Sequence, residues 1–480
     1  MDIEKLESKR VFFWFEKINE IPRGSGNEQA ISNMLKSFAK ERGLYVRQDE
    51  ANNIIIKKPA AKGMEEVAPV LIQGHMDMVC EKNADVNHNF ETDPIKVIYD
   101  GDFIHAEGTT LGGDDGIAVA YALAMLEDNE LPHPELQVLI TTDEEVGMGG
   151  ATAVDCSDIT ARRVINIDSE EEGVFTVGCA GGMKATTTIP VEYEKVENCE
   201  GGWLSIGGLM GGHSGVEIIK GRANANKLLA RAINALSDKL DIRCGNLFGG
   251  AKDNAIPRDA GCFVALKVGA LKAAQDILRE LEAVVNKEYE AQGENISITI
   301  KGCDCEEKVF TTESLKRVVS AIMLMPNGVI EMDLRLNMPE TSNNLGVVKT
   351  QGDNVILVCA VRSAVISRKY WVYNNIKALS ELAGGQCEYK GNYPAWEFKS
   401  DSKLLKNAVE IFESEYGKKP KVETIHAGVE CGILSEKMPG SEFISIGPNM
   451  YDIHTPAEKA DIASIERTWK FVKRLVSEMR

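Results

Sequence analysis

APVLIQGHMD, residues 68–77, is the stretch from which the architecture follows. The apolar run VLIQ passes through Gly74 straight into His75 and Asp77. A short apolar run of this kind reads as a buried strand, and its far end carries reactive side chains. Two later runs behave alike: QVLITT (137–142) leads into Asp143, Glu144 and Glu145, and RVINI (163–167) leads into Asp168. Open α/β sheets bind ligands at the carboxyl ends of parallel strands. Asp114, in GGDDG (112–116), and the late His454 complete the set. Two imidazoles and several carboxylates are what a two-metal hydrolase requires.

The alternation continues outward from that stretch. Helical patterns cover roughly 9–18 and 28–42, strand-like runs occur at NNIIIKK and APVLIQG, and GIAVAYALAML (116–126) reads as a nearly all-apolar helix buried against the sheet. Such alternation predicts an α/β unit, a parallel or mixed sheet with helices on both faces. The glycine-rich GCAGGMK (178–184) marks a boundary. Beyond it an alternating run, KATTTIPVEYE, is followed by GGHSG and a helix, a strand at CFVALKV, a helix over 273–290 and a strand at ISITIKG. A similar order recurs, with a helix near 313–324, strands at VIEMDLRLN and NVILVCAVRS, a helix near 373–383 and a strand at CEYKG. We therefore expect two strand-helix-strand modules side by side, forming an α+β insertion over residues 186–394. The flanking parts, 1–185 and 395–480, should form one discontinuous domain, because His454 must rejoin His75, Asp114, Glu145 and Asp168.

Bulk properties exclude several classes. The formal charge is −19, the wrong sign for a phosphate backbone, so no nucleic-acid partner is expected. No apolar run approaches the ~18 residues of a membrane span, and MDIEKLESKR at the start lacks the apolar stretch of a secretory signal. The expectation is a cytoplasmic enzyme without a membrane partner. The 11 cysteines show no paired spacing and read as reduced, mostly buried thiols. Cys303 and Cys305, in CDC, are too few for a zinc site.

Each reactive residue has a physical reason for its place. Side chains at i and i+2 share a face of a strand, so Asp77 can take the ring hydrogen of His75 and fix its tautomer. The pair Asp114 and Asp115, taken alone, reads as the start of the buried helix; the site gives Asp114 the further task of bridging two cations. Adjacent Glu144 and Glu145 repel as structural residues. They make sense if one faces a metal and the other a water, where a carboxylate serves as general base. Three carboxylates, Asp114, Glu145 and Asp168, bring three negative charges against four positive ones from two divalent ions, and a bridging hydroxide closes the balance. Mixed imidazole and carboxylate ligands suit zinc, with manganese or cobalt as alternatives.

LIQGHMDMVCEKN, GTTLGGDDGIA, TTDEEVGMGGA, INIDSEEEG, GGHSGVEI, DNAIPRDA, HAGVECG and the final His-Thr-Pro together resemble the bacterial aminoacyl-histidine dipeptidases, also called cytosolic non-specific dipeptidases. These belong to the dinuclear zinc peptidase superfamily that includes carnosinases, aminoacylases and tripeptidases. The resemblance runs in order over nearly the whole chain. It implies a mixed-sheet zinc-peptidase catalytic domain with an inserted lid domain. It also implies that His75 and Asp168 hold one zinc, that Glu145 and His454 hold the other, and that Asp114 bridges them, the peptide bond after Asp114 being cis. Glu144 would be the general base acting on a metal-bridging water, and Asp77 would orient His75. His213, in GGHSG, would stabilise the oxyanion, while Asn254 and Arg362 would hold the dipeptide carboxylate. On the residues alone, GGHSG also reads as a flexible loop, Asn254 as a turn residue ahead of Pro257, and Arg362 as the partner of a surface acid. His426 and Glu430, in HAGVECG, fall in a loop that lines the pocket in the family and carry no assigned role. The chain departs from other branches in having Gly116 after Asp114-Asp115 where Lys is common, which agrees with the dipeptidase branch.

The resulting expectation is a two-metal dipeptidase, monomer or homodimer, acting on small unblocked dipeptides. The alternative is an N-acyl-amino-acid deacylase using the same metals. A non-catalytic binding protein on the same scaffold would have lost ligands, and none is missing here.

Overall fold

The computed structural model describes residues 3–305 and 308–479. The chain forms two compact units, one built from 1–179, 396–424 and 429–480, the other from 180–395 and 425–428.

In the first unit an eight-stranded mixed sheet runs in the order Tyr45–Gln48, Ile54–Lys58, Leu136–Thr141, Val70–His75, Arg163–Asn166, Glu442–Ser445, Val174–Cys179, Lys421–Ile425. Its centre is parallel: the Val70 strand pairs in parallel with both the Leu136 and the Arg163 strands. These are the three runs read from sequence, and every residue of Val70–His75 and Leu136–Thr141 is buried. Register sets the site. His75 lies opposite Thr141 and Gln73 opposite Asn166, so Asp168, two residues past Asn166, ends level with His75. Alternation divides the faces. Val70 and Ile72 pack into a core shared with the helix Gly113–Glu127 and with helices Lys9–Asn19, Gln29–Glu41, Lys403–Tyr416 and Ile462–Ser477. Gln73 and His75 point the other way. The helix Gly113–Glu127 is apolar all round from Ile117 to Leu126 and buried over that length, as its composition predicts. It starts earlier than the apolar run suggests, and Asp114 and Asp115 are non-helical within it, joined by a cis peptide bond.

The second unit holds a nine-stranded sheet. Along the main path its order is Ser297–Cys303, Cys199–Gly207, Ala260–Lys267, Arg243–Gly249, Met338–Gln351, Asn354–Ser363, Gly181–Pro190, Gln386–Tyr393. The halves mirror each other and meet where the Arg243 and Met338 strands pair. Each half carries two helices, Ala225–Ser237 with Leu271–Glu288 and Thr312–Leu324 with Ile366–Leu382. All four share one hydrophobic core with the sheet. Asn224 caps the first of these helices by accepting from the N–H groups of Asn226 and Lys227.

Several expectations change. Within GCAGGMK the strands Val174–Cys179 and Gly181–Pro190 meet, and the units divide between Cys179 and Ala180. The sequence reading places that boundary after 185. The strand Met338–Gln351 was not expected, because its central Thr341, Ser342, Asn343 and Asn344 are polar yet buried. Their side chains instead meet Ser363, His426, the Pro326 carbonyl and the Asp253 carbonyl respectively. Cys199 and Cys305 are joined by a disulfide, with Cα atoms 6.0 Å apart, so the reduced reading fails for this pair. Antiparallel pairing of Gly201 with Cys303 brings them opposite each other. Cys80 and Cys303 are exposed, not buried as expected. Among the described residues no helix is long and apolar enough to cross a membrane.

Candidate metal centre

The Asp114 carboxylate sits between the two imidazoles expected to flank it. Its Oδ1 is 3.1 Å from His75 Nε2 and its Oδ2 is 3.1 Å from His454 Nε2. Asp168 Oδ1 lies 3.5 Å from His75 Nε2, and Glu145 Oε2 lies 3.1 Å from His454 Nε2. The five residues are drawn from the ends of parallel strands, the start of the buried helix and a C-terminal loop. His454 reaches the cluster from a left-handed backbone, φ 61°, a conformation that non-glycine residues adopt only when the surroundings impose it.

Asp77 is fully buried and does more than sequence suggested. Its Oδ1 is 3.3 Å from His75 Nδ1, which orients the ring. It also accepts from the backbone N–H groups of Glu144 (3.1 Å) and Glu145 (3.3 Å) and from the Ser25 hydroxyl (2.8 Å). One carboxylate therefore fixes both the imidazole and the Glu-Glu turn.

The residues fit divalent ions. Donors of two kinds, imidazole nitrogen and carboxylate oxygen, converge here, with His75 and Asp114 buried and His454 half-exposed, and His75, Asp114 and Glu145 offer atoms within 4.8 Å of one another. Glu145 Oε1 is buried without a hydrogen-bond partner, an orphan that a cation would satisfy. Crowding of acids makes the same point. Burial pushes Glu144 up to about 9, with His75 opposing and Asp168, Glu430 and Glu145 adding. Burial likewise raises Asp168 to about 6 and Glu170 to about 7. Hydrogen bonds to Asp114 and Glu145 lift His454 to about 10. Burial opposes, but contacts with Asp114, Asp168 and Asp77 raise His75 well above its usual range. So many acids crowded together, most of them largely withdrawn from water, call for positive charge.

Supporting residues escaped the sequence reading. Arg23 is 2% exposed and donates to the carbonyls of Met76 (3.0 Å), Asp77 (3.3 Å) and Gly112 (2.5 Å), tying the His75 and Asp114 segments together. Glu458 accepts from the N–H groups of Leu111, Gly112 and Gly113, fixing the approach to Asp114. Both act on backbone groups remote in sequence, and no local pattern marks them. Glu430, unassigned from sequence, is fully buried and accepts from Gln73 Nε2 and Thr141 Oγ1 at 2.6 Å each. Gln73 in turn accepts from Asn166 at 2.6 Å. The chain of contacts couples three strands one step beneath His75 and Asp168.

The second unit carries His213, Asn254, Arg362 and His426. His213 Nδ1 accepts from the N–H of Gly215 at 3.2 Å, so the ring proton of its neutral form resides on Nε2. Burial, then the Arg362 cation, lowers its pKa. Asn254 adjoins it: the Ser214 N–H donates to the Asn254 carbonyl at 2.9 Å. Arg362 is 9% exposed, and among the described residues it pairs with no surface acid. Burial, then Arg362, pushes His426 down to about 3, and its Nε2 is 2.7 Å from the Ser342 hydroxyl.

The chain is similar to known proteins over its whole length. The chain is 36% identical over 480 residues to the cytosol non-specific dipeptidase of Escherichia coli (strain K12), covering 100% of this chain and 99% of the relative. It superposes on the crystal structure of aminoacylhistidine dipeptidase from Vibrio alginolyticus with a TM-score of 0.96 at 35% identity, covering 100% and 98% of the two chains. Aminopeptidase PepT from Bacillus cereus ATCC 10987 shares the fold, with a TM-score of 0.58 at 17% identity and 99% of each chain covered. The model of peptidase family M20/M25/M40 matches residues 71–478, a span that takes in His75, Asp114, Glu145, Asp168 and His454, and the chain belongs to that family.

Proposed function

We propose that this chain is a dinuclear metal-dependent dipeptidase hydrolysing unblocked dipeptides, Xaa-His among them. The observation that carries the reading is the single Asp114 carboxylate with an imidazole 3.1 Å from each oxygen. In this reading His75 and Asp168 hold one ion, Glu145 and His454 the other, and Asp114 bridges; zinc is the metal proposed. Two such ions supply Lewis-acid polarisation of a peptide carbonyl and lower the pKa of water. Asp77 keeps His75 in the ligating tautomer. Glu144, on the turn that Asp77 fixes, takes a proton from the attacking water and returns it to the leaving amine.

The first unit is the catalytic domain in this proposal and the second is the lid. His213 offers its Nε2–H to the carbonyl oxygen as negative charge develops there. Asn254 and Arg362 hold the free carboxylate of the dipeptide, the guanidinium as a two-pronged donor. Support comes from the named dipeptidases at 36% and 35% identity, which do not favour deacylation. A cytoplasmic location, as monomer or homodimer, is part of the same proposal. The test is chelation followed by reconstitution with zinc, manganese or cobalt, assaying L-Ala-L-His beside N-acetyl amino acids. Dipeptide cleavage should return at two metal equivalents. Full activity at one equivalent, or faster cleavage of the acetylated substrates, would overturn the reading.

A further inference from the structure

Four residues stand in one row across the sheet of the second unit. Ser342 lies opposite Arg362, Arg362 opposite Gly182, and Gly182 opposite Tyr393. Residues directly opposite one another share a face of a sheet. Arg362 and Tyr393 are therefore separated by a position without a side chain, and the tyrosine ring occupies the gap. A Cβ on Gly182 would fall 2.5 Å from Tyr393 Cζ and overlap the hydroxyl. Across the gap, Arg362 Nη1 donates to the Tyr393 hydroxyl at 2.9 Å.

Tyr393 is itself pinned. Its carbonyl accepts from the buried Lys369 ammonium at 2.6 Å. Gly428 packs on the ring so closely that a Cβ there would lie 2.7 Å from Cε2. Arg362 thus meets a rigid, neutral acceptor. A carboxylate partner would neutralise the guanidinium and compete with an incoming anion; a phenol orients it and leaves its charge available. The Arg362 Nε is buried without a partner, so the group is held by few contacts and the phenol matters to its direction.

We propose that Tyr393, admitted to the row by Gly182, is the positioning residue that aims the Arg362 guanidinium at the substrate carboxylate and so sets the preference for free dipeptides over carboxyl-blocked ones. The proposal rests on the dipeptidase reading, in which Arg362 holds that carboxylate.

The experiment compares L-Ala-L-His with L-Ala-L-His amide on the metal-loaded wild type, Tyr393→Phe, Arg362→Met and the double variant. The Phe ring fills the same gap, so the variant keeps its packing. Losing a hydrogen bond to a charged group should raise KM for the free dipeptide roughly 10-fold, move kcat much less, and reduce the acid-to-amide preference by a similar factor. Because Tyr393 acts through Arg362, Tyr393→Phe should add nothing in the Arg362→Met background. An unchanged preference, equal losses on both substrates, or full additivity would overturn the role of Tyr393 alone. A wild type that cleaves acid and amide equally would instead overturn the carboxylate role of Arg362, and the proposal with it.

Discussion

Glu144 and Glu145 are neighbours of like charge, and the site separates their tasks. Glu145 Oε2 lies 3.1 Å from His454 Nε2, while the backbone N–H groups of both residues are spent on Asp77. Glu144 stands on the turn that these bonds hold. Glu144→Ala should lower kcat on dipeptides by roughly 10²–10⁴, with metal content per chain unchanged by elemental analysis. Near-normal turnover would remove Glu144 from the proton-transfer role. These acids were legible in the sequence because they follow apolar strands directly. Arg23 was not: besides Asn19, its partners are carbonyls at Met76, Asp77 and Gly112, more than 50 positions away, and a backbone carbonyl leaves no trace in residue identity.

The strand Val70–His75 and the helix Gly113–Glu127 carry the centre between them, and their closeness depends on Gly74. A Cβ at that position would lie 2.6 Å from Ala118 Cβ and would also overlap the Asp115 carboxylate, which accepts from the His75 N–H at 3.1 Å. Gly74→Ala should therefore push strand and helix apart. Overpacking of this kind costs about 1–3 kcal/mol and should appear as a lower thermal midpoint together with weaker binding of divalent metal; an unaltered metal affinity would show that the approach is not needed. In the second unit, the segment around His213 is held by Glu217. Hydrogen bonds from Lys220 and the His213 N–H hold that carboxyl down from 4.5 to about 2, against slight desolvation. A depressed acid stabilises the fold above its unfolded pKa and loses that effect as pH falls through the folded value. The difference in thermal midpoint between wild type and Glu217→Gln should be largest above pH ~5 and vanish by pH ~2. A difference that stays constant over this range would exclude Glu217 as the anchor.

Over the whole chain, each unit closes on its own hydrophobic core, and the first is discontinuous in sequence. The residues around Asp114 show why. His454 and Asp114 are 340 positions apart yet meet at 3.1 Å, and that junction requires the C-terminal helices to rejoin the N-terminal sheet. Within the second unit the mirrored strand order reflects two similar modules joined edge to edge. Such pairing removes two exposed sheet edges at once.

The chain by itself determined which runs are strands and helices wherever burial is uniform or periodic, and which acids and imidazoles stand at strand ends, because both signals lie in a few consecutive side chains. It was silent, or misleading, wherever a side chain is matched by a distant partner. The strand Met338–Gln351, the Cys199–Cys305 link and the Arg362–Tyr393 contact across Gly182 belong to that class. Only tertiary structure decided them, since a hydrogen bond or disulfide between remote positions depends on how strands are ordered and registered in space. No local periodicity encodes that ordering.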